Sequence, residues 1–156
     1  MEFAAARVIH VLAVVLWIGG VAMVTTVLLP AVRRFKSPQE RVAFFEQVEA
    51  RFATQSRVTT LLAGLSGFYL LYVTGWERLA LARFWWIHAM MAVWLLFTLM
   101  LFVLEPLFLH RWFIQRARRA PESTFRLVHG LHWFLLTISL ITVAGAVAGS
   151  HGWFWF

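Results

Sequence analysis

Residues 8–32 constrain this chain most, because they run for 25 positions without a lysine, arginine, aspartate or glutamate. A helix rises about 1.5 Å per residue, so a segment of this length crosses the hydrocarbon core of a bilayer with some tilt. The segment nevertheless contains an ionisable side chain, His10. An imidazole at such a depth is costly and usually faces the inside of a helix bundle, where it has a partner. We therefore expect His10 to face the protein interior.

Three further stretches without charged residues indicate an all-α membrane protein. They are residues 58–76, 84–104 and 127–156, and each reaches the roughly 18 residues of a spanning helix. Only 13% of the chain is charged, against about a quarter in a soluble domain. None of the stretches has the period-two alternation of a membrane barrel. We predict one transmembrane domain over residues 1–156, an integral membrane four-helix bundle with helices at about 4–32, 56–76, 84–110 and 122–150.

Lysines and arginines concentrate in the first and third of the predicted loops. The first carries Arg33, Arg34, Lys36, Arg41, Arg51 and Arg57, and the third carries Arg111, Arg116, Arg118, Arg119 and Arg126. Cytoplasmic loops carry this excess, so both termini are expected outside, in a multi-pass protein of the bacterial inner membrane. The net charge of +7 is then a topology signal, and we expect lipid, not nucleic acid, as the partner of this surface.

The first loop also contains a helix start signal. Ser37-Pro38-Gln39-Glu40 fits a capping box with proline at the first helical position. Apolar residues then recur at helical spacing, which predicts an amphipathic cytoplasmic helix at about 38–53, between helices one and two, on the membrane surface. The alternative is that this segment extends the second spanning helix.

Pro106 is the main irregularity in the third predicted helix, and it follows Glu105. A proline inside a helix removes one amide donor and clashes with the preceding turn. We therefore expect a kink near this glutamate.

All six histidines lie in or at the ends of the predicted helices, in two layers. The outer layer comprises His10, His88 and His151, and the inner layer comprises His110, His129 and His132. The chain has no cysteine, which excludes thiolate metal sites and c-type haem attachment. A lone histidine at a membrane interface is more often an anchor or a hydrogen-bonding residue, an alternative that suits His110 and His151 best.

Haem b is the first cofactor that this pattern indicates. Imidazoles from two facing helices can fill both axial positions, and helix bundles commonly build such sites in their core. We predict haem b between His10 and His88, and a second haem near His129 or His132 is an open alternative.

Arginines stand near these histidines, where haem propionates would need cations. Arg7 precedes His10 by one helical turn, Arg78 and Arg83 precede His88, and Arg126 precedes His129 by one turn. The competing explanation is that these arginines only set the topology.

Copper is the alternative cofactor, because imidazole and thioether ligands suit it. The outer layer would supply His10, His88 and His151, with Met90 and Met91 close behind His88. Methionine also fills gaps in apolar cores, so the methionines alone do not choose between the two cofactors.

Several short motifs resemble one superfamily of membrane proteins. They are Ile9-His10-Val11-Leu12, Leu16-Trp17-Ile18-Gly19-Gly20, Leu29-Pro30, Glu49-Ala50-Arg51-Phe52, Thr60-Leu61-Leu62-Ala63-Gly64-Leu65, Thr74-Gly75, Trp86-Ile87-His88-Ala89 and Phe125-Arg126-Leu127. With these motifs the chain resembles the CopD-type and HemJ-type integral membrane proteins. The resemblance covers most of the chain.

The resemblance implies copper uptake or resistance from the CopD side, and haem b with protoporphyrinogen oxidation from the HemJ side. HemJ-type proteins use a first-helix histidine, which matches His10, and a third-helix lysine. Met90 stands in the place of that lysine, and the only lysine in the chain is Lys36. The resemblance therefore supports haem binding more than that reaction.

These observations together predict a small membrane b-type cytochrome. Its expected work is electron transfer between a quinol and an acceptor, for which a quinone or a redox protein would be the partner, or haem handling. A membrane haem oxidoreductase would fit, although the sequence identifies no catalytic residue. The alternatives are a CopD-like protein that binds or transports copper, and a non-catalytic membrane subunit whose histidines are structural.

Overall fold

The computed structural model describes residues 1–35 and 37–153, with the backbone alone at positions 35, 38, 39, 42, 43, 45, 46, 49, 50, 110 and 118. This part of the chain is helical almost throughout and contains no strand, which confirms the all-α prediction. Lys36 lies outside the described residues.

The helices follow one another with short connections. Helix α1 (Glu2–Met23) continues through a π-helical turn (Val24–Leu28) into α2 (Leu29–Phe35), and α3 spans Pro38–Thr74. Two 3₁₀ turns, Trp76–Ala80 and Ala82–Phe84, lead to α4 (Trp85–Leu99), which continues through a π-helical segment (Met100–Leu109) into α5 (His110–Arg119). Helix α6 spans Pro121–Ser150.

The start of α3 confirms the predicted capping box, but the helix is longer than predicted. Ser37 Oγ accepts from the amide of Glu40, and the Glu40 carboxylate accepts from the amide of Ser37 at 3.0 Å. The helix then runs unbroken to Thr74. The separate amphipathic helix at 38–53 is therefore wrong, and the alternative of an extended second helix describes the structure. The physical reason is that residues 40–63 contain neither glycine nor proline, so nothing ends the helix there.

Among the residues that the structure describes, three helices are long and apolar enough to cross a membrane, namely Glu2–Arg34, Ala82–Leu109 and Pro121–Ser150. The span predicted on α3 is not among them, and the uncharged part of that helix is confined to the stretch between Arg57 and its end at Thr74. The exposed surface of α1 is apolar over several turns, with Val8, Leu12 and Val15 each more than half exposed. A contiguous apolar surface of this kind is unusual for a soluble monomer and typical of contact with lipid.

The helices pack chiefly in two pairs, α1 against α3 and α4 against α6, and α1 also contacts α6. Trp17 of α1 lies at the centre of one core cluster, where its ring meets Phe97 of α4 edge to face at 4.8 Å. A second cluster around Leu29 and Phe125 lies nearer the α2 and α5 ends. We call the end with Glu2, Thr74 and Ser150 the upper end, and the end with Phe35, Pro38 and Pro121 the lower end.

One arginine ties the lower end together. Arg41 of α3 forms an ion pair with Glu122 of α6 at 2.5 Å and donates to the carbonyl of Arg33 at 3.0 Å. Three helix ends are therefore held by a single guanidinium, which fits the planar, multi-donor geometry of that group.

A second arginine completes the helix that Pro106 interrupts. In a π-helical turn, each amide donates to the carbonyl five residues earlier, so the residue at position 106 would donate to Leu101. Proline has no amide hydrogen. Arg57 of α3 supplies the donor instead, from Nε to the carbonyl of Leu101 at 3.2 Å, and its guanidinium pairs with Glu105. At Pro106, where we expected a kink, the chain forms a π-helical segment. Arg57 of the neighbouring helix α3 supplies the hydrogen-bond donor that the proline lacks.

Small residues set the closest helix contacts. A Cβ at Gly64 would lie 2.5 Å from Nε1 of Trp94, whose indole donates to the carbonyl of Thr60 at 3.0 Å. Cβ atoms at Gly145 and Gly149 would overlap the indoles of Trp85 and Trp86. These glycines let the aromatic side chains of α4 reach the backbones of α3 and α6.

We expect Gly64→Ala to destabilise the protein, because the added methyl meets a rigid, hydrogen-bonded indole. Overpacking of this kind costs about 1–3 kcal/mol, which exceeds the ~0.5–1 kcal/mol that alanine gains over glycine in a helix. Gly130→Ala is the matched control, since nothing lies within 4 Å of a Cβ there. Thermal unfolding of the purified protein in detergent measures both variants, and equal melting temperatures would contradict the packing described above.

We expect Arg57→Met to cost about 1–3 kcal/mol, the range for hydrogen bonds to charged groups. The side chains of Arg57 and Glu105 are 34% and 25% exposed, so a loss as large as that of a fully buried pair is not expected. The same substitution in a Pro106→Ala background should cost less, because alanine restores the missing amide donor. A double-mutant cycle from unfolding in detergent measures this coupling, and additive effects would show that Arg57 does not replace the amide.

Candidate functional site: a cavity around His10

A cavity of about 950 Å³ lies at the upper end, with walls from α1, α3, α4 and α6. Its volume is at the upper end of the roughly 300–1,000 Å³ range of small-molecule sites. Most of its lining is apolar or aromatic, including Phe68, Trp86 and Trp94. The polar members are few: Arg7, His10, Thr74, Arg78, Ser139, Thr142, Ser150 and His151. A mainly apolar chamber with a few polar groups is typical of a site for a flat or amphipathic ligand.

His10 lies in the wall of this cavity with its ring orientation fixed by α3. Its Nδ1 lies 2.9 Å from the carbonyl oxygen of Ala63 and 3.2 Å from Oγ of Ser66. A carbonyl only accepts, so Nδ1 carries the proton and donates it. Nε2 of the neutral ring then keeps its lone pair. The predicted inward orientation of His10 and its need for a partner are therefore observed.

Gly67 provides the space that this orientation needs. A Cβ at position 67 would lie 3.0 Å from Cε1 and 3.3 Å from Nδ1 of His10. The ring thus lies directly on the backbone of α3, where a larger residue would push it away from Ala63. Gly67 was not among the predicted site residues, although a glycine that faces a histidine on a neighbouring helix is a signal for such a contact.

Two of the arginines that the sequence placed near the outer histidines contribute to the lining, and the third does not. Arg7 lies in the cavity wall, as expected. Arg78 lies there too, whereas Arg83 is outside the lining, exposed, with its guanidinium 5.0 Å from the ring centre of Phe84. The cation that joins Arg7 is therefore Arg78, because the 3₁₀ turn at Trp76–Ala80 places it against the cavity.

Trp17 contributes an unpaired donor beside the same cavity. It lines the wall, is only 4% exposed, and its indole N–H has no acceptor among the described residues. Trp17 belongs to the motif Leu16-Trp17-Ile18-Gly19-Gly20 but was not among the predicted cofactor-binding residues.

The structure separates the two histidines that were predicted to face each other. His88 is exposed and does not line the cavity, although Met90 and Met91 of the same helix do. His151, just beyond the end of α6, is exposed as well, but it lines the cavity with His10. The structure thus brings together His10, His151, Arg7 and the two methionines, and leaves His88 outside.

The lower histidines have hydrogen bonds of their own. His132 donates from Nδ1 to the carbonyl of Val128 at 2.9 Å, within its own helix. His129 Nε2 lies 3.1 Å from the carbonyl oxygen of Thr25 and 3.1 Å from the indole nitrogen of Trp133, so it donates to the first when it carries the proton and accepts from the second when it does not. His129 therefore links α6 to the π-helical turn that follows α1. Arg126 is exposed near this end.

A smaller cavity of about 160 Å³ lies beside His132. It is mainly apolar, and its polar lining includes Ser56 and Glu105. This volume is below the usual range for small-molecule sites.

Among the side chains that the structure describes, which do not include those of Glu46, Glu49 and His110, there is no group of three or more histidine, cysteine, aspartate or glutamate residues that could hold a metal ion. No family model, curated protein or solved structure matches the chain. The resemblance to CopD-type and HemJ-type proteins therefore stays a prediction, and the site is interpreted from its own geometry.

We expect His10 to be the Nδ1-protonated tautomer in the folded protein, since Ala63 can only accept a proton there. The ¹⁵N shifts of histidine-labelled protein in detergent distinguish the two tautomers, and His10→Ala assigns the resonance. Gly67→Ala should shift the same resonance by displacing the ring, while Gly130→Ala should not. A ring protonated on Nε2 would contradict the hydrogen bond described above.

Proposed function

We propose that this chain is a membrane haem b protein, in which the cavity at the upper end holds the porphyrin and His10 is an axial ligand. The observation that carries the proposal is the hydrogen bond from His10 Nδ1 to the carbonyl of Ala63, beside a cavity of about 950 Å³. Metal-ligating histidines characteristically donate their other ring nitrogen to a carbonyl or carboxylate in this way.

The residues around the cavity fit haem in three respects. The chamber is large and mainly apolar, as the porphyrin face requires. Arg7 and Arg78 lie in the wall and can neutralise two propionates. The neutral tautomer of His10 presents Nε2 as the ligand atom, and a hydrogen bond from Nδ1 to a carbonyl makes that nitrogen more basic.

Haem would supply reversible one-electron chemistry that this chain's own side chains cannot perform. The chain's residues would hold and tune it. Ala63 and Gly67 fix the angle of the His10 ring, and the apolar wall keeps water away from the metal and so shifts its potential. Electron transfer with a quinol as donor, or haem handling, is the work that we propose for this site.

The proposal includes a four-helix bundle with both termini on the outer side of the inner membrane. It is supported by the charge distribution, and by the packing of α3 against α1 and α4. The cavity would then open in the outer half of the bilayer. We propose one haem, because the cavity beside His132 has only about 160 Å³.

Copper is the second candidate for the same site. The observation that favours it is that Met90 and Met91 line the cavity together with His10 and His151, a mixed imidazole and thioether set of the kind that binds copper. The size of the chamber and its two arginines favour haem, since a copper ion needs neither.

We expect the protein purified from its membrane to show a Soret band and to contain iron, and His10→Ala to lower haem retention by about tenfold or more. His88→Ala is the control, because that side chain is exposed outside the cavity. Absorption spectra and metal analysis of the same samples decide between the cofactors. Protein that lacks iron and takes up no added haem would contradict the proposal, and stoichiometric copper in it would support the second candidate.

A further inference from the structure

We propose that His151 is the second axial ligand of this haem, in place of the His88 that the sequence suggested. This inference rests on the haem proposal above. It starts from the observation that His10 and His151 are the two histidines in the lining of one cavity. His10 belongs to the α1 wall, and His151 follows the end of α6.

The backbone around His151 is fixed by a regular helix end. The amide of Gly152 donates to the carbonyl of Gly149, and the amide of Trp153 donates to the carbonyl of Ala148, both at 3.1 Å. Gly152 has a φ of +82°. These features together form a Schellman motif, in which a glycine in the left-handed region closes the helix. His151 therefore stands on an ordered turn at the helix end.

The ring of His151 has the same arrangement of nitrogens as His10. Its Nδ1 lies 2.8 Å from the carbonyl of Val147, one turn earlier on α6, and 3.3 Å from Oγ of Ser150. Because the carbonyl can only accept, Nδ1 carries the proton and Nε2 keeps its lone pair. Both histidines of the cavity thus present an unprotonated Nε2, as two axial ligands must.

The two histidines lie at different heights in the cavity wall. Cavity-lining residues run from Phe3 to Ile18 on α1 and from Ser139 to Gly152 along α6 and its end, so His10 lies nearer the middle and His151 nearer the mouth. The two rings therefore belong to different walls of one cavity.

The position of α6 is set by its contact with α4. A Cβ at Gly149 would overlap the indole of Trp86, so the two helices meet closely two residues before His151. His88 follows Trp86 on α4 by two residues, so it lies on a different face of that helix, outside the cavity lining. The contact of Gly149 with Trp86 therefore places the end of α6, with His151, beside the α4 wall of the cavity.

The test compares His151→Ala and His88→Ala in the full-length, haem-loaded protein, with the optical spectrum and ferric EPR as readouts. The wild type should be low-spin, as expected for two imidazole ligands, and should bind carbon monoxide poorly when reduced. His151→Ala should keep the haem through His10 but become high-spin and bind carbon monoxide readily. Added imidazole should restore its low-spin spectrum, and His88→Ala should match the wild type.

A backbone variant tests the positioning without removing the imidazole. Gly152→Ala places a Cβ at a φ of +82°, which strains the Schellman motif. The high-spin fraction should rise while haem retention persists, and Gly130→Ala should leave both unchanged. Elution as a single species in gel filtration shows that each variant is folded.

The outcomes separate this inference from the haem proposal. Haem-loaded wild type that is high-spin, or a low-spin His151→Ala, overturns the inference and leaves haem binding intact. A His88→Ala variant that becomes high-spin assigns the ligand to His88, and a change confined to Met90→Leu or Met91→Leu assigns it to a thioether. A wild type that binds no haem removes both proposals together.

Discussion

The hydrogen bond from His10 to the carbonyl of Ala63 is the contact on which the organisation of this protein depends. In an apolar environment, a polar side chain must find its partner inside the protein. The partner here is the backbone of α3, which the imidazole can reach because Gly67 has no side chain. One bond thus aligns α1 with α3, fixes the protonation of the ring, and leaves the other nitrogen beside a chamber.

The two ends of the molecule differ in how they satisfy their polar groups. At the lower end, Arg41 and Arg57 pair with glutamates and with carbonyls that helix ends or Pro106 leave without an amide. The cavity described there has only about 160 Å³. At the upper end, the arginines Arg7 and Arg78 lie in the wall of a chamber of about 950 Å³. The arginines of one end therefore pair with groups of the fold, while those of the other line a cavity.

The sequence predicted where helices form better than it predicted where each helix begins and ends. The capping box at Ser37 and the irregularity at Pro106 follow from local chemistry, which is readable from a few neighbouring residues. The sequence left open whether residues 38–53 form a separate helix or extend the second one, because the change from amphipathic to uniformly apolar composition resembled a boundary. The candidate site was predicted in part: His10, Arg7 and Arg78 are at the cavity, while Trp17 and Gly67 were not identified as its residues.

The sequence by itself determined that this chain is helical, with long apolar segments of the kind that span a membrane, and that His10 has to face inward. Those conclusions depend on composition and on the cost of a polar group in an apolar segment, which are local properties. The tertiary structure alone decided which side chains share the cavity with His10. His88 and His151 both lie near a helix end and both are exposed, so the sequence does not distinguish them. The packing of α6 against α4, where Gly149 meets Trp86, leaves His151 in the cavity wall and His88 outside it.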